Sequence, residues 1–260
     1  MSQDTGADAP STQVENRRTP TPRGGRRAAR KRSGRGASFW VGIVLVLGGL
    51  SMLGYVAWQF YGTNIVSRQT QQHIVRDLTK DWAAAPRTTI GQRAPAEQQV
   101  PVGHASGIIR IPAFGRDYAV PVLEGVGDQE LASGFGHFTE SADPGQRGNY
   151  ALAAHRVTHG EPLRGMPNLR PGDKVIVETR NAVYTYVLDT NPNDLVVTFH
   201  DIWVVDPLPH NPDGGVQPAQ EPGQRLITLT TCSELFHTDN RMIAFGHLVD
   251  TQRKPAGAAG

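Results

Sequence analysis

Polar and apolar residues are distributed unevenly along this chain. Residues 36–67 contain no Asp, Glu, Lys or Arg, and Phe39 to Trp58 is almost wholly apolar. Twenty helical residues rise about 30 Å, the thickness of a bilayer core, so this run predicts a single transmembrane helix over 38–61. Phe39 and Trp40 at one end, and Trp58, Phe60 and Tyr61 at the other, match the aromatic belts where a spanning helix meets the headgroups. A cleaved signal peptide has a shorter apolar stretch, about 7–15 residues, and small residues at its cleavage site. Here the far flank is Trp58-Gln59-Phe60-Tyr61, so an uncleaved anchor is expected. Residues 63–82 lack Gly and Pro and predict a helical stalk, with Thr63 or Asn64 as its N-cap.

Residues 83–106 have no periodicity and read as a linker. Short β runs follow: Ile108–Ile111, Tyr118–Val122, Tyr150–Ala154, Lys174–Glu178, Val183–Val187, Leu195–Phe199, Trp203–Val205, Leu226–Thr230 and Met242–Val249. Arg180-Asn181 joins the fourth and fifth as a hairpin. Helical turns fit near 129–133 and 161–167. With no long helix between the strands, the pattern predicts an all-β, antiparallel, barrel-like domain. Residues 206–224 are too rich in Pro and Gly for a strand and form a long loop just before the run that ends at Cys232.

Composition agrees with this picture and narrows it. The 29 Gly and 19 Pro suit a loop-rich β domain rather than a helical bundle. A single cysteine excludes an intramolecular disulfide and any cysteine-cluster metal site. Nine Lys or Arg and no acid lie between Arg17 and Arg35, whereas the body beyond residue 35 carries four more acidic than basic residues. The basic charge thus belongs to the tail, and a nucleic-acid-binding body is excluded. Basic residues ahead of a spanning helix keep the N-terminus in the cytoplasm and set the body outside.

Three residues carry candidate chemistry. Cys232 ends the run Leu226–Thr231, a strand terminus where a nucleophile is rigid and accessible. The alternative is an inert buried thiol. His155 ends the run Tyr150–Ala154 and is the best placed of nine histidines to be its partner. Arg241 opens the final β run. If the two last strands are antiparallel neighbours, Cys232 and Arg241 share one rim, where a guanidinium can stabilise an oxyanion. The alternative for Arg241 is a surface ion pair.

The segment Thr228-Leu229-Thr230-Thr231-Cys232, with Arg241 nine residues later and Ala154-His155-Arg156 upstream, resembles the sortase family. Leu-Thr-Thr-Cys, Tyr61-Gly62-Thr63-Asn64 and the stretch from Ile111-Pro112 to Val126 are similar to class E, the housekeeping sortases of actinobacteria. The resemblance implies a closed eight-stranded β-barrel with short helices, following a single membrane helix and a stalk. It divides the chain into a disordered cytoplasmic basic tail (1–37), an anchor (38–61), stalk and linker (62–106), catalytic barrel (107–252) and disordered C-terminal tail (253–260). It implies catalytic roles for His155, Cys232 and Arg241, and substrate contacts for Thr230 and Thr231. The implied reaction cleaves a Leu-Ala-x-Thr-Gly or Leu-Pro-x-Thr-Gly signal between Thr and Gly through a Cys232 thioester. The acyl group passes to an amine of a lipid-linked peptidoglycan precursor, or to a pilin lysine in a pilus-assembling member. The implied partners are secreted signal-bearing proteins, the amine donor and the lipid bilayer, with no nucleic acid, metal or organic cofactor. A thiolate–imidazolium pair would make activity fall at both pH extremes. Another cell-envelope cysteine peptidase or transpeptidase, or a tethered binding module, are the remaining alternatives.

Overall fold

The structure, a computed structural model, describes residues 36–58, 62–84, 103–233 and 239–254. The expected basic tail, most of the linker, the C-terminal tail, and the belt residues Phe60 and Tyr61 lie outside these residues. Two compact units divide at Gly48. That point falls within helix α1 (Ala37–Ala57), which has no buried residue and is long and apolar enough to cross a membrane. Helix α2 spans Thr63–Ala84.

Nine strands follow: β1 (Ala105–Arg110), β2 (Val120–Glu124), β3 (Phe135–His137), β4 (Gly148–Ala153), β5 (Lys174–Glu178), β6 (Ala182–Leu188), β7 (Val196–Thr198), β8 (Arg225–Cys232) and β9 (Asn240–Arg253). Their order is β6-β5-β1-β2-β3-β4-β8-β9-β7, and an additional β6–β9 pairing closes eight of them into a barrel. Strand β9 makes this possible by its length. Its residues 240–242 pair with β7 and its residues 246–253 with β6, while β8 runs along the other edge. At the crossover Gly246 leaves no space, since a Cβ there would lie 2.5 Å from the Val187 carbonyl oxygen.

Alternation sorts the side chains into two clusters. Tyr150 and Leu152 of β4, Ile227 and Leu229 of β8, and Met242 and Ala244 of β9 point into the barrel core with Phe135, Val177 and Tyr186. Ile243 and Phe245 face outward and pack with Leu195 and Val204 in a second cluster. The period of two in β-strands therefore puts odd-numbered residues of β4 and β9, and even-numbered residues of β8, on the outer face.

Two expectations are corrected. The barrel is not purely antiparallel: β2 runs parallel to β3, and β4 parallel to β8. A parallel pair needs a crossover. Helix α3 (Asp128–Ser133) sits in the first, and the long excursion through β5, β6 and β7 makes the second. Residues Trp203–Val205 are not a strand but part of a 3₁₀ turn, Ile202–Val205. The fully buried Asn149 captures the carbonyls of Val204 and Asp206 with its amide, at 3.2 and 3.1 Å, so these groups need no ladder. The expected stalk is the helix α2 (Thr63–Ala84). It packs on β1, β2 and α3, and its only buried residues are the polar Ser67 and Gln71.

Candidate active site

The site lies at one rim of the barrel, where β4, β8 and β9 are neighbours. Cys232 is the last residue of β8, and its register partner on β9 is Arg241. The antiparallel pairing that the residues required is therefore present, and it makes Cys232 and Arg241 directly paired residues on one face of the two strands, with Arg241 Nη1 donating to the Asn240 carbonyl at 3.0 Å. On the other side, β4 pairs with β8 up to Ala153 opposite Thr230. The ladder continues past the strand end. The Ala154 N–H donates to the Thr230 carbonyl at 3.1 Å, and the Thr231 hydroxyl donates to the Ala154 carbonyl at 2.7 Å. One step further, Arg156 Nη2 donates to the Ser233 carbonyl at 2.8 Å. His155 and Cys232 are thus each flanked by residues tied across the same two strands. The three expected residues meet at one rim.

The electrostatics of His155 follow from that placement. Burial, followed by the charge of His159 and then Arg241, pushes its imidazole down to about 4, against the opposing pull of Asp128. Its ring stacks on that of His159, with centroids 4.6 Å apart and planes 28° apart. At neutral pH His155 is therefore uncharged. In that form the imidazole can accept a proton. Cys232 is half-buried and is a free thiol.

Thr230 and Thr231, both expected to contact substrate, are 7% and 3% exposed. Thr231 directs its hydroxyl to Ala154, and by alternation Thr230 shares the outer face with Cys232. Two further residues escaped sequence reasoning. Arg156 holds Ser233 next to the nucleophile; its Nε and the Ser233 Oγ are buried without a hydrogen-bond partner among the described residues. His159 packs on the catalytic candidate from a loop that no periodicity marks. The His155 loop is pinned at its far end, where the Leu163 N–H donates to the His155 carbonyl at 3.0 Å and the Tyr118 hydroxyl to Pro162 O at 2.8 Å. Burial raises the Tyr118 phenol well above its ordinary range, so it stays a neutral donor.

Comparison with known proteins agrees with this geometry. The sortase domain family matches residues 109–249. Sortase SrtE1 of Streptomyces coelicolor is 32% identical over 257 residues, 96% of this chain; the chain spans 66% of that relative's length. The solved sortase E of Streptomyces avermitilis is 37% identical with a TM-score of 0.53, over 61% of this chain and 97% of that one. The structure of Sortase E1 of Streptomyces coelicolor with a tripeptide in the active site is 31% identical with a TM-score of 0.50, over 59% of this chain and 95% of that one. The family match runs over the strands that carry His155, Cys232 and Arg241, and the chain belongs to the sortase family of cysteine transpeptidases, its likeness lying with class E.

Proposed function

We propose that this chain is a membrane-anchored housekeeping transpeptidase. It cleaves a Leu-Ala-x-Thr-Gly or Leu-Pro-x-Thr-Gly signal between Thr and Gly and transfers the acyl protein to an amine of a peptidoglycan precursor. The observation that carries this reading is the pairing of Cys232 with Arg241 across β8 and β9, with His155 beyond the adjoining end of β4. Helix α1 anchors the enzyme, and the nine basic residues before it hold the N-terminus in the cytoplasm and the barrel outside. The substrate's hydrophobic tail and the lipid-linked amine donor occupy the same layer, which raises their effective concentration.

The chemistry balances as two acyl transfers. His155 takes the thiol proton as Cys232 Sγ attacks the Thr carbonyl, and the electron pair moves onto the carbonyl oxygen. Arg241 donates hydrogen bonds to that oxyanion. Collapse breaks the C–N bond, and His155 returns its proton to the departing glycine amine, leaving a thioester. The acceptor amine then attacks and gives a proton to His155; the C–S bond breaks, and the thiol is regenerated. Thr230 lines the signal groove beside Cys232, and Thr231 supports it by fixing Ala154.

The test is direct. The full chain in detergent is incubated with each signal peptide, with and without an amine, and followed by intact mass. The expected product is an acyl adduct on the enzyme that the amine resolves. No adduct with either peptide, from a folded enzyme whose thiol alkylates, would sink the proposal. Arg241→Ala is expected to lower kcat/KM by about 10²–10³-fold, the usual cost of losing an oxyanion donor. Lys at 241 should recover only part, because a point charge lacks the planar fork. An unchanged kcat/KM in the alanine variant would remove Arg241 from the mechanism.

A further inference from the structure

The loop that follows His155 has an unusual backbone. His159, Gly160 and Glu161 are consecutive residues with φ of 53°, 82° and 55°. His159 and Glu161 are the only non-glycine residues with positive φ among those described. A non-glycine residue in the left-handed region costs about 1 kcal/mol or more and persists where its surroundings hold it.

What holds this loop is α2. Asn64 bridges it at two points, accepting from the Gly160 N–H at 2.9 Å and donating to the Val157 carbonyl at 3.4 Å. Gln71 donates to the His159 carbonyl at 3.1 Å. Arg68 donates to the Gly160 carbonyl at 3.3 Å and to the Glu161 carboxylate at 3.1 Å. Gly160, with φ of 82°, lies close under Gln71: a Cβ there would be 2.7 Å from Gln71 Nε2 and would displace that amide. Asn64, Arg68 and Gln71 recur at helical spacing on one face of α2. The two buried residues of α2, Ser67 and Gln71, lie on this docked side. The loop, fixed in this shape, presents the His159 ring to His155 at stacking distance.

We propose that α2 is a positioning element for the catalytic histidine. Asn64, Arg68 and Gln71 lock the 157–161 loop so that the His159 ring braces His155 in its working orientation beside Cys232. These are positioning residues: their hydrogen bonds go to the 157–161 loop and not to His155, Cys232 or Arg241. The helix leading out of the membrane anchor thereby completes the active site, instead of only spacing it from the bilayer. The inference rests on the proposed role of His155.

The test compares the full chain in nanodiscs with the Asn64→Ala/Gln71→Ala double variant, His159→Asn, and Arg76→Ala as a control on the same helix. Arg76 contacts His73 and not the loop. His159→Asn keeps a residue that tolerates the left-handed backbone and keeps the carbonyl that Gln71 binds, so it removes the brace without unlocking the loop. Two readouts are taken: the kcat and KM of peptide transfer, and the His155 titration by NMR, assigned against His155→Gln. Among the described residues, the charged and titratable groups acting on His155 are His159 on its own loop, Asp128 of α3 and Arg241 of β9. Loosening the loop exposes His155 and withdraws His159.

Both the double variant and His159→Asn should lose about 10- to 100-fold in kcat, the scale of a small misplacement of a catalytic group. KM for the peptide should not change, and the His155 midpoint should rise from about 4 toward its ordinary 6.5. Arg76→Ala should match wild type. Unchanged kcat and an unmoved midpoint in both variants would overturn the proposal. If the double variant does not fold, His159→Asn alone decides. If the wild type transfers no peptide, the proposed reaction fails separately, and the His155 midpoint still decides whether α2 acts on that residue.

Discussion

Cys232→Ala is expected to abolish acyl-enzyme formation and transfer completely, with the fold intact. In the proposed reaction the sulfur forms the new bond, and no other cysteine exists in the chain to replace it. Cys232 sits at a strand end and is half-buried, so its truncation leaves a small defect at a rim rather than a cavity in the core. Thermal unfolding should therefore move little, and intact mass should show no adduct at any peptide concentration. Cys232→Ser should be nearly as inactive. A thiol gives up its proton to a base far more readily than a serine hydroxyl does, and its sulfur is the better nucleophile. Arg241 would still face the carbonyl in the alanine variant, so peptide binding should persist while chemistry stops. Residual transfer in that variant would mean that Cys232 is not the nucleophile.

The second large effect belongs to His155. In the proposed reaction His155 moves the proton in both half-reactions, so His155→Gln should lower kcat by about 10²–10⁴-fold. The wild-type pH profile carries a more specific signature. Burial foremost, and then His159, holds His155 at about 4, so the imidazole is a competent acceptor across neutral and mildly acidic pH. Activity should be lost only as pH falls through about 4–5, well below the ordinary histidine value of about 6.5. An acid limb at 6.5 or above would mean that His155 titrates as a solvated imidazole, and a loss of activity as pH rises through its midpoint would mean that it works from its charged form.

Stability should move with the same group. The unfolded chain binds a proton at His155 near 6.5 and the folded chain only near 4, so the folded state is the less protonated one between these values. Its stability is full above 6.5 and declines as pH falls toward 4, by about 3 kcal/mol at most. His155→Gln should flatten that part of the stability curve. A slope unchanged by the substitution would assign the acid sensitivity to other groups.

Much of this was legible in the residues alone, for physical reasons that differ from element to element. The apolar run over Phe39–Trp58 needed only its length, because bilayer thickness is an external ruler. Strands β5 and β6 were readable because Arg180-Asn181 punctuates a hairpin between β-branched and aromatic residues. Cys232 and Arg241 were readable as a pair because eight residues between two strand ends allow only a short return, which makes antiparallel neighbours. Where the signal was weak, the sequence expectation failed. Phe135–His137, a three-residue strand containing a glycine, has no alternation to reveal it. The apolar run Trp203–Val205 concealed a 3₁₀ turn, because the partner of the Val204 carbonyl is Asn149, more than fifty residues away in the chain.

The chain by itself determined which residues could do chemistry, which segment could cross a membrane, and that short strands would build the body. These follow from composition and period, which are local. Tertiary structure alone decided three other matters. It closed the barrel through both edges of β9 and made two pairings parallel. It made His155 neutral, since burial and the company of His159 and Arg241 are properties of a place and not of a residue type. It also laid α2 on the loop beside the active site. That helix docks through Asn64, Arg68 and Gln71, and such hydrogen bonds leave no hydrophobic period in the sequence to announce them.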